Sequence, residues 1–344
     1  GRHSLSLVTA VRYPVTLPGR QTMASLERRH TRLFLLSFFI VYFGISQWER
    51  VTMTSLTAQS SPARSAAAAT AASTDAGLES LAQLLKRYRS DKFWRHHYEH
   101  YYEKWFGPLR HVAGLRMAEI GAERGRSLDV WKEYFDNAAL IVGLAYGSGT
   151  VESSEAGRFG KDERVKVVNG DQSDPAVLAQ LCELGPFDVI IDDGSHVPSH
   201  MVISFAHLFG KCIKEGGIYV IEDLETSYWN KRQPDGELPK VYNYELNGGG
   251  IGQPPPENAV EKFKQMIDVL MRKQLGYEGL SILPGDDQIC SIEFGMNLMA
   301  FHKCTQEQRK RPPELGVYGP GGAVDEGHMK EYLNQARVTN PVGI

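Results

Sequence analysis

Two short stretches decide the reading: Ile191-Asp192-Asp193-Gly194-Ser195-His196 and, about thirty residues on, Ile221-Glu222-Asp223. Each follows an apolar run of strand length, Phe187 to Ile191 and Ile218 to Ile221, with Gly216-Gly217 just before the second. Carboxylates that end buried strands stand where an open parallel α/β sheet binds its ligands, beyond the carboxyl ends of the strands. If the two strands are neighbours, their ends lie roughly 5 Å apart. Three or four carboxyl oxygens could then surround one hard divalent cation, with His196 a turn away.

Working outward, apolar runs alternate with helix-like segments. The runs lie at 117–120, 140–144, 165–168, 187–191 and 217–221, and the helical patterns at 127–136, 174–184 and 199–211. That is the βαβ rhythm of a doubly wound, mostly parallel sheet. Two further runs, Ile289–Phe294 and Leu298–His302, are separated by three residues and predict a C-terminal antiparallel hairpin, making seven strands. Residues 257–275 predict one helix before that hairpin. Upstream, Leu78, Leu81, Leu84, Leu85 and Tyr88 recur at helical spacing, and an aromatic helix follows from Trp94 to Phe106, stopped by Gly107-Pro108. This helical lead-in is expected to pack its aromatic stripe on the core.

The remaining organisation is compositional. The folded domain is expected over 77–304, with a Gly/Pro/Tyr-rich lid or substrate loop at 225–256. Residue 1 is Gly, and Met23 reads as a better start. Arg28, Arg29 and Arg32 precede a 13-residue apolar core from Leu33 to Ile45, extendable to 16 residues at Trp48. Basic flank and apolar core predict a signal anchor or signal peptide over 1–51. An Ala/Ser/Thr-rich stalk follows at 52–76, and a polar, disordered tail is expected at 305–344. Anchor and stalk together predict a type II Golgi membrane enzyme with a lumenal domain; a secreted or organellar protein is the alternative.

Composition narrows the function. Of 344 residues, 42% are hydrophobic and 23% charged, with a net charge of −3, which fits a globular domain and gives no support to a general nucleic-acid binder, so no nucleic-acid partner is expected. Cys182, Cys212, Cys290 and Cys304 show no metal-ligand spacing and are expected to be buried free thiols. After the first strand comes Glu119-Ile120-Gly121-Ala122-Glu123-Arg124-Gly125-Arg126-Ser127, a glycine-containing turn into a helix. It is neither GxGxxG nor a Walker loop. A carboxylate at Glu119 would repel phosphate but suits a cofactor with a cationic amino-acid end.

These residues carry a resemblance. Ser90-Asp91-Lys92, His97-Tyr98 to Tyr102, Phe106-Gly107-Pro108-Leu109-Arg110 and Glu119-Ile120-Gly121 come first. Gly170-Asp171-Gln172-Ser173-Asp174, Gly185-Pro186-Phe187-Asp188, Ile191 to Val197, and Tyr219 to Asp223 with Thr226-Ser227-Tyr228-Trp229 follow in order. Together, over roughly 210 residues, the chain is similar to the macrocin and mycinamicin sugar O-methyltransferase family. The resemblance implies a Rossmann-like class I methyltransferase fold, S-adenosylmethionine (SAM) and Mg²⁺ as cofactors, and a sugar or glycan hydroxyl as acceptor.

By the same resemblance, Glu119, Gly121 and Ser127 line the methionine end of SAM, and Asp171 and Gln172 reach its adenosine. Asp193, Glu222 and Asp223 hold Mg²⁺, with Asp192 as a further ligand or cofactor contact. His196 is the general base that takes the acceptor's proton, since imidazole titrates near neutrality. A homo-oligomer is a further expectation. Two positions depart from the family. Ala145 replaces the acidic residue that accepts the ribose hydroxyls, leaving Tyr146, Ser148 or Glu152 to substitute, and Gly295 stands where relatives tend to carry an aromatic. Ala145 feeds an alternative reading, a catalytically inactive methyltransferase-like binding module. A nucleotide-dependent oxidoreductase is disfavoured by the missing GxGxxG.

Overall fold

Strands buried on both faces read as unbroken apolar runs, and the computed structural model shows this for the central runs, while the runs at 165–169 and 289–294 are only partly buried. It describes residues 77–147, 162–229, 258–272 and 279–310, with Glu331 and Asn334 in isolation. The seven runs form β1 (Arg116–Ile120), β2 (Leu140–Ala145), β3 (Val165–Asn169), β4 (Phe187–Asp192), β5 (Ile213–Ile221), β6 (Ile289–Phe294) and β7 (Met299–Lys303). They make one sheet in the order β3-β2-β1-β4-β5-β7-β6. The first five are parallel, and β7 pairs antiparallel with both β5 and β6. Asp192 is in register with Ile221, so the two acidic stretches emerge side by side. The order reverses between β1 and β4, and the crevice outside that switch point is where such sheets bind ligands.

Helices cover both faces. On one, α1 (Leu81–Arg87), α2 (Asp91–Trp94), α3 (Glu99–Phe106) and α4 (Arg126–Tyr134) surround a core of Tyr102, Trp105, Phe106, Trp131 and Phe135. On the other, α5 (Pro175–Glu183), α6 (Pro198–Cys212), α7 (Ala259–Lys264) and α8 (Met266–Met271) close over Phe205, Phe209, Phe263 and Phe301. A short α9 (Gln306–Lys310) follows β7. Ser80 starts α1 with a reciprocal capping box to Gln83. Pro198 opens α6, whose Met201, Val202, Phe205, Leu208, Phe209 and Cys212 bury one helical stripe.

Several expectations are corrected. The single aromatic helix is two, because His97 adopts a left-handed φ of 55° and the Tyr98 N–H bonds back to the Lys92 carbonyl at 2.8 Å. Trp94 is exposed rather than packed. The helix expected over 257–275 is likewise split, with a tight turn at Gln265 separating α7 from α8. The cysteines are not free thiols. Cys182 at the end of α5 is bonded to Cys212 at the end of α6, and Cys290 on β6 to Cys304 after β7, with Cα separations of 5.2 and 4.9 Å. These partners lie 30 and 14 residues apart, so only the packing of neighbouring elements brings them together. The anchor and stalk (1–76), Ser148, Glu152, most of the lid and most of the tail lie outside the described residues.

Candidate active site

A cleft of about 920 Å³ opens over the carboxyl ends of β1, β2 and β4. Its floor requires glycine at two points. Gly121 has φ +93°, and a Cβ there would lie 1.8 Å from the Asp193 carbonyl oxygen. A Cβ on Gly194 would meet Gln172 Oε1 at 1.9 Å. The β1 and β4 turns therefore touch backbone to backbone, leaving the space above them for a ligand.

Two residues in strained left-handed conformations then aim their side chains at each other: His196 (φ 57°) after β4 and Asp223 (φ 54°) after β5. His196 Nε2 lies 3.7 Å from Asp223 Oδ2 and 4.0 Å from Asp193 Oδ1. Burial holds the His196 pKa below the usual imidazole value, against the pull of Asp223. Asp223 is fixed from its other side: Tyr98 Oη donates to Oδ1 at 2.8 Å, Asn297 in the β6–β7 turn supports Tyr98 at 3.0 Å, and His96 Nδ1 is 3.5 Å away. Asn297 also accepts the Glu225 N–H at 2.8 Å, joining the hairpin to the start of the expected lid.

Behind this pair lies a second acidic group that already contains a cation. Lys92 of α2 is 1% exposed, and its ammonium stands 2.5 Å from Asp193 Oδ2, 2.7 Å from Glu222 Oε1 and 3.2 Å from Glu119 Oε1. Burial works against that charge, but Asp193, Glu222 and Glu119 outweigh it and hold the ammonium well above the ordinary lysine range. Tyr102 also donates to Glu222 Oε1. Burial pushes the Glu222 carboxyl up to about 7, with Lys92 opposing. Burial and the Glu222 charge likewise push Asp193 well up, again against Lys92. Among the described residues, the groupings that could hold an ion are Asp193, His196 and Asp223, or Glu119, Asp193 and Glu222. Asp193 belongs to both.

The cofactor candidates also divide. Gly121, Ser127, Asp171 and Gln172 line the cleft. Asp171 is set by bonds from the Ser173 N–H and hydroxyl, both 2.7 Å. Glu119 is fully buried beneath the floor, accepting from Ser127 and from Trp131 Nε1. Asp192, expected as a ligand or cofactor contact, is 1% exposed and does not line the cleft. It accepts from Gln172 Nε2 at 3.0 Å, Ser204 Oγ at 2.5 Å and Tyr219 Oη at 3.3 Å, so it fixes Gln172 from below. Burial lifts its carboxyl to about 6 against these hydrogen bonds. Ala145 is fully buried, whereas Tyr146 beside it is 74% exposed on the cleft wall.

Sequence reasoning gave Tyr98 and Tyr102 a packing role only, and gave Lys92 and Asn297 none. Tyr98, Tyr102 and Lys92 sit in stretches that carried the family resemblance, which was the only available signal. A lysine between Asp91 and Phe93 reads as solvated until the fold buries it.

Known proteins resemble this chain over part of its length. It is 41% identical over 232 residues to the 8-demethyl-8-alpha-L-rhamnosyl tetracenomycin-C 2'-O-methyltransferase of Streptomyces olivaceus, covering 65% of this chain and 54% of that protein. It is 37% identical over 183 residues to the demethylmacrocin O-methyltransferase of Streptomyces fradiae, covering 51% and 42%. The chain is a relative of the macrocin- and mycinamicin-type sugar O-methyltransferases. The mycinamicin VI 2''-O-methyltransferase of Micromonospora griseorubida is a third such relative, 35% identical over 158 residues, 43% of this chain and 37% of that one. Among solved structures, MycE methyltransferase in complex with Mg and SAH superposes with a TM-score of 0.51 at 28% identity, covering 68% of this chain and 57% of MycE. Its complex with Mg, SAH and mycinamycin VI gives 0.50 at 30%, with the same coverage. No family model matches the chain. The chain spans about half the length of the first relative and less of the other two.

The sheet is thus the Rossmann-like methyltransferase sheet expected from the sequence. The expected Golgi placement is corrected. The relatives are bacterial proteins, from organisms without a Golgi, and no helix among the described residues is long and apolar enough to cross a membrane.

Proposed function

We propose that this chain is a Mg²⁺-dependent SAM O-methyltransferase acting on a sugar hydroxyl of a glycosylated metabolite. The observation that carries the reading is the meeting of Asp193, His196 and Asp223 over the switch point, in a cleft lined by Gly121, Ser127, Asp171 and Gln172. The relatives named as sugar O-methyltransferases, and MycE with its Mg and SAH, support it.

The donor set fits a hard cation. Asp193 and Asp223 each spend one oxygen on an anchor, Lys92 or Tyr98, and turn the other toward His196 and the cleft. Carboxylate oxygens with no thiolate nearby suit Mg²⁺. When bound, the cation supplies Lewis acidity to the acceptor hydroxyl and SAM supplies an electrophilic methyl. With both bound, His196 would take the proton of the acceptor hydroxyl as its oxygen receives the methyl, the sulfonium of SAM leaving as a neutral thioether. Held neutral by burial, His196 is ready to accept the proton near pH 7. Glu119 and Asp192, out of contact with the cleft, would act by fixing Ser127 and Gln172.

The test is transfer of labelled methyl from SAM to a rhamnosylated acceptor, with Mg²⁺ and with EDTA. Methylation lost in EDTA and restored by Mg²⁺ is expected, and Asp223→Asn should demand at least tenfold more Mg²⁺. Full activity in EDTA would rule out the metal role. A second reading, an inactive SAM-binding module, is favoured by one observation: buried Ala145 offers no acceptor for the ribose hydroxyls. Stoichiometric SAM binding without turnover on any sugar acceptor would select it.

A further inference from the structure

We propose that Lys92 is a built-in competitor for the metal: its ammonium occupies the Glu119–Asp193–Glu222 group, and a divalent ion gains Glu222 as a ligand only when that ammonium withdraws. The inference rests on the metal-dependent reading above and deepens it.

Three observations carry it. First, Glu222 is 1% exposed, does not line the cleft, and its Oε1 receives both Lys92 and Tyr102. The three carboxylates expected to hold the metal are therefore split, with Asp193 and Asp223 facing the cleft and Glu222 behind a resident cation. Second, Lys92 Nζ stands against three carboxylates at 2.5–3.2 Å, the arrangement otherwise expected of a metal ion. An ammonium and a divalent cation cannot share those oxygens, since like charges a few ångströms apart in a poorly solvated pocket repel strongly. Third, Lys92 is carried by a four-residue helix, α2, bounded by left-handed Arg89 and His97. Asp91 on that helix and Arg95 just after it line the cleft and are exposed. A helix so short, flanked by two non-helical joints, is a small unit to displace, and the ammonium's way out leads into the cleft.

The role is one of positioning, exerted through Asp193 and Glu222, and it predicts metal affinity rather than rate. The full chain and its Lys92→Met variant would be titrated with Mg²⁺ by calorimetry, with circular dichroism confirming the fold. In parallel, Lys92 of the unaltered protein would be labelled with an amine-reactive reagent, with and without saturating Mg²⁺, and read by mass spectrometry. The proposal predicts at least tenfold tighter Mg²⁺ binding in Lys92→Met and greater labelling of Lys92 when Mg²⁺ is present. Equal or weaker binding by a folded variant would overturn it. Should the variant not fold, Lys92 labelling that Mg²⁺ leaves unchanged would overturn it instead. If neither protein binds Mg²⁺, the metal-dependent function itself fails; if both bind equally, only the role of Lys92 does.

Discussion

Burial and a neighbouring carboxylate pull the proton affinity of His196 in opposite directions. Burial is the larger effect, so the ring titrates below the ordinary 6.5 despite Asp223. A base with a lowered pKa stays unprotonated further into acid, so activity should be level through pH 7 and decline only below 6.5. A kcat profile whose acid limb lies above the normal imidazole value would contradict this. His196→Ala should cut kcat by about 10²–10⁴-fold, the usual reach of a general base, while leaving SAM affinity nearly intact. Gly121 makes a prediction of another kind. A Cβ 1.8 Å from the Asp193 carbonyl oxygen, at φ +93°, has no flexible neighbour to push aside. Gly121→Ala should cost roughly 3 kcal/mol or more, read from the urea midpoint. A cost within 0.5 kcal/mol would show that the two turns are not in contact in solution.

At the scale of elements, the central strands β1, β2 and β4 were legible because burial on both faces demands unbroken apolar runs. Helix α6 was legible because one helical stripe is apolar. What escaped depends on tertiary contact. The break at His97 puts both Lys92 and Tyr98 against the carboxylates, and nothing in the local sequence from Trp94 to Phe106 foretells it. The split of Glu222 from Asp223 escaped for the same reason: adjacent residues at a strand end point to different surroundings, one behind Lys92 and one into the cleft. The surroundings of Asp192 escaped similarly, since its alternation along β4 turns it toward Ser204 and Tyr219. The cysteine pairs join the ends of neighbouring helices and neighbouring strands, which spacing alone does not reveal. Cys182–Cys212 closes a loop across β4 and α6 and should contribute about 3–4 kcal/mol. Cys182→Ser with Cys212→Ser should lower the melting temperature by roughly 10 °C relative to the oxidised protein. An unchanged melting temperature would mean that the pair is not bonded in solution.

At the scale of the molecule, seven runs became one sheet whose order reverses between β1 and β4, and the acidic stretches that open the reading emerge beside that reversal. The central claim is that this cleft takes SAM, and its weakest point is β2, where Ala145 supplies no carboxylate. Two charge-assisted hydrogen bonds worth roughly 1.5–3 kcal/mol each are absent there, so the rest of the cleft must hold the cofactor. The most direct measurement is a calorimetric titration of the full chain with SAM, with Mg²⁺ present. Saturable binding in the micromolar range, one SAM per chain, is the predicted result. No detectable binding up to millimolar SAM would contradict it and leave a methyltransferase fold without its cofactor.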